Sequence, residues 1–185
     1  MEDLFWDKYK TGMNLLKRDI EYSHIREKDK KEIIDFAWRT GMEAAERIQK
    51  RYPFCLPSRI AEKEQIILTE TDAVNSWNYS EFLPSKKEIL LYKNKIMLDS
   101  PSEGMRSGKY EEYRERRELF IAHEIFHYLE YTDTAVKHFR RQYPVTVLDL
   151  KILRVTRELT SMSEIGAYAF TRKFFGIGDE TEEDN

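Results

Sequence analysis

His123 and His127 stand four residues apart in the stretch His123-Glu124-Ile125-Phe126-His127, with Glu124 directly after the first histidine. If the segment is helical, the two imidazoles lie one above the other on one face and reach the same metal ion. Glu124 is then turned by about 100° from His123. That puts it beside the ion, where a general base takes a proton from an activated water. The plainer reading is a pair of partly buried or capped histidines with a surface glutamate between them. The flanks count against it. Leu119-Phe120-Ile121-Ala122 before the motif and Tyr128-Leu129 after it make a helix apolar on most sides, hence a buried one. Polar groups left unpartnered there would each cost on the order of 1–3 kcal/mol, a cost that a bound metal removes.

A catalytic zinc site takes three protein ligands and keeps one position for water. The chain has a single cysteine, Cys55, so the third ligand must be His, Asp or Glu. His138 lies eleven residues past His127 and Asp133 six past it. One class of zinc peptidases places its third ligand at the spacing of Asp133, but with a glycine three residues after the second histidine for a sharp turn. Glu130 holds that place, which demotes Asp133. Glu164 sits on a later helical stretch able to pack across the motif helix. Its competing role is local: Ser161-Met162-Ser163-Glu164 fits a capping box, with Glu164 turned back on its own helix start. Spacing leaves both readings open.

The elements that must position these groups suggest an α+β chain. Residues 3–22 suit a helix weakened by Gly12, and residues 26–32 read as a solvated connection. Asp29 and Glu32 have capping-box spacing ahead of a helix whose face is Ile34, Ala37/Trp38, Gly41, Ala45, Ile48 and Tyr52, ended by Pro53. A short helical piece over 58–64 precedes a strand at 65–69, and 71–87 is polar and turn-rich. Residues 88–92 and 95–99 read as two strands about a Lys93-Asn94 turn. Residues 100–108 are loop-like, and the motif helix runs from about Tyr110 to Tyr131. A last long helical region spans roughly 146–175, with a possible break near 160–163, and Gly176 and Gly178 stop it.

In domain terms this gives an N-terminal helical region over 1–52, a main domain over 53–177, and an acidic, disordered tail over 178–185. With 185 residues, 41% of them hydrophobic, the chain is long enough to bury a core without disulfides. A net charge of -3 and a pI near 5.9 argue against nucleic acid as a direct partner, as does the lack of a second helix at helix-turn-helix spacing. One cysteine fits a reducing compartment, and the N-terminus lacks the basic flank and apolar run of a signal peptide. No stretch approaches the ~18 apolar residues of a membrane span. The expectation is a cytoplasmic protein without a membrane.

Phe120-Ile121-Ala122-His123-Glu124-Ile125-Phe126-His127 followed by Glu164-Ile165-Gly166-Ala167-Tyr168-Ala169-Phe170 resembles the ImmA/IrrE-like zinc metallopeptidases. That family shows Ala-His-Glu-x-Gly-His and then Glu-x-x-Ala-Asn-x-Phe-Ala. Leu56-Pro57-Ser58-Arg59-Ile60-Ala61 is similar to its usual opening, and the resemblance covers roughly residues 53–175. It implies a small zincin-like domain of gluzincin type, with a short, mainly antiparallel sheet packed on the buried motif helix and on a second ligand-bearing helix. It also implies Zn2+ held by His123, His127 and Glu164, with Glu124 catalytic. Phe126 in place of the motif glycine, Tyr168 in place of the asparagine, and Phe174-Phe175 where the family often has Leu-Met-Pro are departures. They leave the four chemical groups in place.

The resulting expectation is a regulatory zinc endopeptidase acting on a protein such as a helix-turn-helix repressor. His138, Tyr143 and Tyr168 are candidate donors to the oxyanion, and the 95–99 strand is the candidate edge for an extended substrate. The alternative is a non-catalytic partner-binding module on the same scaffold. A third reading, another amide or ester hydrolase, requires a small closed pocket.

Overall fold

The computed structural model of the chain describes residues 7–73, 78–98, 109–150 and 153–177. The expected acidic tail, the 100–108 loop and Trp77 lie outside them. Among the described residues there are six α-helices, a mixed three-stranded sheet and a separate hairpin, an α+β architecture. The helices are α1 (Lys8–Leu16), α2 (Glu27–Arg51), α3 (Pro57–Lys63), α4 (Lys93–Leu98), α5 (Lys109–Thr132) and α6 (Ser161–Phe175). The strands are β1 (Ile67–Thr71), β2 (Ser80–Leu83), β3 (Glu88–Tyr92), β4 (Val145–Leu150) and β5 (Leu153–Arg157). No described helix is long and apolar enough to cross a membrane.

The long 3.6-period helix and the motif helix form where expected, as α2 and α5. Helix α2 nevertheless starts earlier, at Glu27. The charged run 26–32 is its first turn, where Glu27 and Asp29 meet the positive end of the helix dipole. Arg26 is the N-cap and no side chain caps it, so the Asp29/Glu32 box is not formed.

Two expected elements are of the wrong type. Residues 95–98 are not a strand but part of α4. A short apolar run has no decisive period, and a helical turn lets Ile96 bury fully while its carbonyl accepts from Arg116 at 3.1 Å. The antiparallel partner of β3 is instead β2, inside the stretch read as turn-rich, with Phe82 opposite Ile89. Strand β1 pairs with β3 in parallel, so the sheet order is β1-β3-β2 and the sheet is mixed rather than mainly antiparallel.

The second correction concerns 146–175. Among the described residues only α6 is helical there. Residues 145–150 and 153–157 pair as the β4–β5 hairpin, with Val145 opposite Arg157 and Leu150 opposite Leu153. Val145, Thr146, Val147, Val155 and Thr156 are β-branched, and that stiffness favours the pleated form. Leu148, Leu150 and Leu153 stay exposed.

One core joins the N-terminal helices to the motif helix and α6: Ile34, Ala37, Ala44, Ile125, Phe126, Met162, Ile165 and Phe170 are all essentially buried. Helix α2 lies against α6 at backbone distance. A Cβ on Gly41 would stand 2.1 Å from the Gly166 carbonyl oxygen. On the opposite side, a Cβ on Gly166 would meet the Phe126 ring at 2.4 Å. Phe126 therefore fills the α5–α6 interface and packs on Phe139 and Phe170 at 5.9 and 6.0 Å between ring centroids.

Candidate metal centre

Helix α5 enters the core through Ile121, Ala122, Ile125 and Phe126, all fully or almost fully buried, which turns His123 and His127 toward a cleft. Glu164 reaches the same point from the first turn of α6. His123 Nε2 lies 3.2 Å from His127 Nε2 and 3.3 Å from Glu164 Oε2, and His127 Nε2 lies 3.5 Å from Glu164 Oε1. These three residues form a group able to hold a metal ion. Tetrahedral ligands at 2.0–2.1 Å from zinc stand about 3.3 Å from one another, so the observed separations fit a single ion among them.

Electrostatics agree with the geometry. Burial pushes the His127 imidazole down, but its hydrogen bond to Glu130 and the charges of Glu124, Glu164 and Glu130 outweigh it and push it up to about 9. Burial pushes Glu164 up, but the His123 hydrogen bond and the charges of His123 and His127 hold it at about 2. The carboxylates thus stabilise the charged imidazole of His127, and the imidazoles stabilise the charged carboxylate of Glu164. The capping-box role of Glu164 is not realised. Thr160 is the N-cap of α6 without a side-chain bond, and Glu164 faces His123.

Asp133, the demoted candidate, pairs with Arg47 at 3.2 Å and caps its own turn through Ala135 N at 2.8 Å, away from the histidines. His138 is not among the three converging residues but lines the cleft, as does Tyr168, whose ring stands edge-on to His123 at 5.4 Å. Burial and the Glu164 charge push the Tyr168 hydroxyl up. Tyr143 donates to Glu32 at 2.8 Å and does not line the cleft, which removes it from the candidate donors.

Glu124 is 4% exposed and its Oε1 accepts from Ser80 Oγ at 2.6 Å. Ser80 belongs to β2, the edge strand of the sheet, and residues 78–82 line one wall of the cleft. Aromatic contacts hold that wall on α5: Tyr79 stacks on Phe120 at 4.8 Å, and Phe82 meets Tyr128 at 5.8 Å. The cleft has a volume of about 980 Å³, and Arg18 from the N-terminal region is part of its lining.

On the far side of its ring, His127 Nδ1 lies 3.0 Å from Glu130 Oε2 and 3.1 Å from Ser163 Oγ. Ser80, Glu130 and Ser163 escape a motif-based reading. Glu130 had a signal in its position one turn after His127, and Ser163 had one in its adjacency to Glu164. Ser80 had none. Comparison with known protein families, with curated proteins and with solved structures finds no match to this chain.

Proposed function

We propose that the protein is a zinc-dependent endopeptidase. The observation that carries this reading is the placement of Glu124 one residue from His123, in a cleft that holds a His-His-Glu group and is walled by a sheet edge. An ion held there supplies Lewis acidity, bringing the pKa of a water toward ~7 and polarising a carbonyl. Glu124 accepts the proton of the attacking water and delivers it to the leaving amine nitrogen. The Ser80 hydrogen bond occupies Oε1 and orients the carboxylate, leaving Oε2 for that proton. Tyr168 and His138 line the cleft as donors toward the developing oxyanion.

The outer edge of β2 takes over the substrate role first given to residues 95–99. Among the described residues no strand pairs with that edge, which lies beside Glu124, where an extended peptide could add as a further strand. Glu164 keeps 46% of its side chain exposed, which suits a groove open to a chain better than a small closed pocket. The resemblance of the motif and of the Glu164 stretch to ImmA/IrrE-like peptidases supports a regulatory protease whose partner is a helix-turn-helix repressor.

Elemental analysis and a peptide-library digest read by mass spectrometry test the reading together. The expected result is about one zinc per chain, retained in Glu124→Gln and lost in Glu164→Ala, with turnover falling by roughly 10²–10⁴ in Glu124→Gln. Equal cleavage by wild type and Glu124→Gln, or no metal uptake after zinc addition, sinks it. No metal uptake, or no cleavage by either form, leaves the partner-binding module as the better description, whereas equal cleavage removes Glu124 as the base.

A further inference from the structure

Glu130 is a carboxylate that the His-Glu-x-x-His motif does not call for. It sits one turn past His127 on α5, with its side chain only 11% exposed. Its Oε2 receives both the His127 ring and the Ser163 hydroxyl, and Ser163 is the residue next to Glu164 on α6. Its Oε1 is buried without a hydrogen bond among the described residues, and Arg140 Nε stands 3.6 Å from it. A carboxylate is an acceptor, so the His127 Nδ1 facing it carries the hydrogen.

We propose that Glu130 is a positioning residue for the metal group, holding His127 in the tautomer whose Nε2 lone pair faces His123 and Glu164 and, through Ser163, keeping α6 in register with α5. The inference rests on the metal-centre reading of that group. A neutral imidazole has one donor nitrogen and one acceptor nitrogen. Without the Glu130 carboxylate only the neutral Ser163 hydroxyl, 3.1 Å away, faces Nδ1, and the hydrogen sits more readily on Nε2, where it would point at His123 Nε2 only 3.2 Å away and block the ligand lone pair. Outer carboxylates of this kind change metal affinity by about 10–100-fold. Ser163 extends the effect across the interface, because its hydroxyl moves with the backbone that places Glu164.

The test is zinc affinity, by competition with a chromophoric chelator, on wild type, Glu130→Gln, Glu130→Ala and Ser163→Ala, beside thermal unfolding of the zinc-free forms. Glu130→Ala is expected to bind zinc about 10–100-fold more weakly, and Ser163→Ala more weakly by a smaller factor. Glu130→Gln keeps an acceptor oxygen and recovers most of the affinity. A purely structural ion pair with Arg140 behaves differently, since Glu130→Gln would then destabilise the fold as much as Glu130→Ala does. The chain has four histidines, so ¹⁵N spectra of the zinc-loaded wild type resolve the tautomer directly. The expected pattern for His127 is a ligated Nε2 and a protonated Nδ1, a readout that stands even if Glu130→Ala fails to fold.

Zinc affinity of Glu130→Ala within twofold of wild type, or a spectrum with Nδ1 of His127 as the ligand, overturns the role of Glu130 and leaves the metal centre standing. A wild type that takes up no zinc overturns both.

Discussion

Asp19 Oδ2 accepts the backbone N–H of Ser161 at 2.7 Å, so the helix that carries Glu164 is capped by a residue 142 positions earlier in the chain. The same oxygen accepts from Thr160 Oγ1 at 3.2 Å, and Oδ1 accepts from Glu21 N at 3.0 Å. Helix α6 has no cap of its own. The first turn of a helix leaves N–H groups without internal partners, and here the N-terminal region supplies one acceptor for them. The ligand-bearing end of α6 therefore depends on residues outside the His-Glu-x-x-His segment and its neighbours.

Asp19→Ala should lower stability by about 1–2 kcal/mol, a drop of several degrees in Tm, and should weaken zinc binding because Glu164 sits in the first turn of α6. Burial pushes the Asp19 carboxyl up, but the hydrogen bonds from Ser161, Glu21 and Thr160 outweigh it, so its folded value lies below 3.8. The sign follows. Its contribution is fully present above the unfolded value, near pH 4, and is lost as pH falls through the lower folded value. Urea titrations between pH 2 and 6 should show this acid loss in the wild type and a flatter profile in Asp19→Asn. Identical profiles would rule the linkage out.

Gly41→Ala should be among the more damaging single-methyl additions. Its Cβ would meet the Gly166 carbonyl oxygen at 2.1 Å, and backbone cannot swing aside, so α2 and α6 must separate at a cost of about 1–3 kcal/mol or more. Gly12→Ala is the control. Its Cβ meets side-chain atoms of Ile34, Cγ2 at 2.6 Å and Cγ1 at 2.9 Å, so a shift of that side chain is required but no backbone carbonyl stands in the way. Denaturant midpoints should therefore rank wild type above Gly12→Ala and Gly12→Ala above Gly41→Ala. The reverse order between the two variants would contradict the packing argument.

Ser80→Ala should leave zinc content unchanged and reduce kcat about tenfold or more, since Glu124 loses the donor that orients it at 2.6 Å. KM should move less than kcat, because Ser80 reaches the base through its side chain while the β2 backbone edge is preserved. A change confined to KM would assign Ser80 to substrate contact instead.

Legibility followed the range of the interaction. The His123, Glu124 and His127 arrangement was readable because all three side chains ride on one helix, where spacing alone sets direction. The core face of α2 was readable for the same reason. Residues 95–98, 145–150 and 153–157 take a form other than the expected one because short apolar and β-branched runs satisfy two periodicities, and the choice falls to what they pack against. Residues 80–83 gave no strand signal at all and took their form from pairing with β3.

Sequence by itself determined which chemical groups are present and that two imidazoles and a carboxylate share one helix of an α+β chain. Only the tertiary structure decided that Glu164 leaves its own helix start to join them, that Ser80 holds Glu124, and that Asp19 caps α6. Local spacing constrains side chains within a turn or two, whereas these contacts join residues 37 or more positions apart. Close packing at Gly41, Gly166 and Phe126 brings α2, α5 and α6 together, and the rings of Tyr79 and Phe82 on Phe120 and Tyr128 hold β2 against α5.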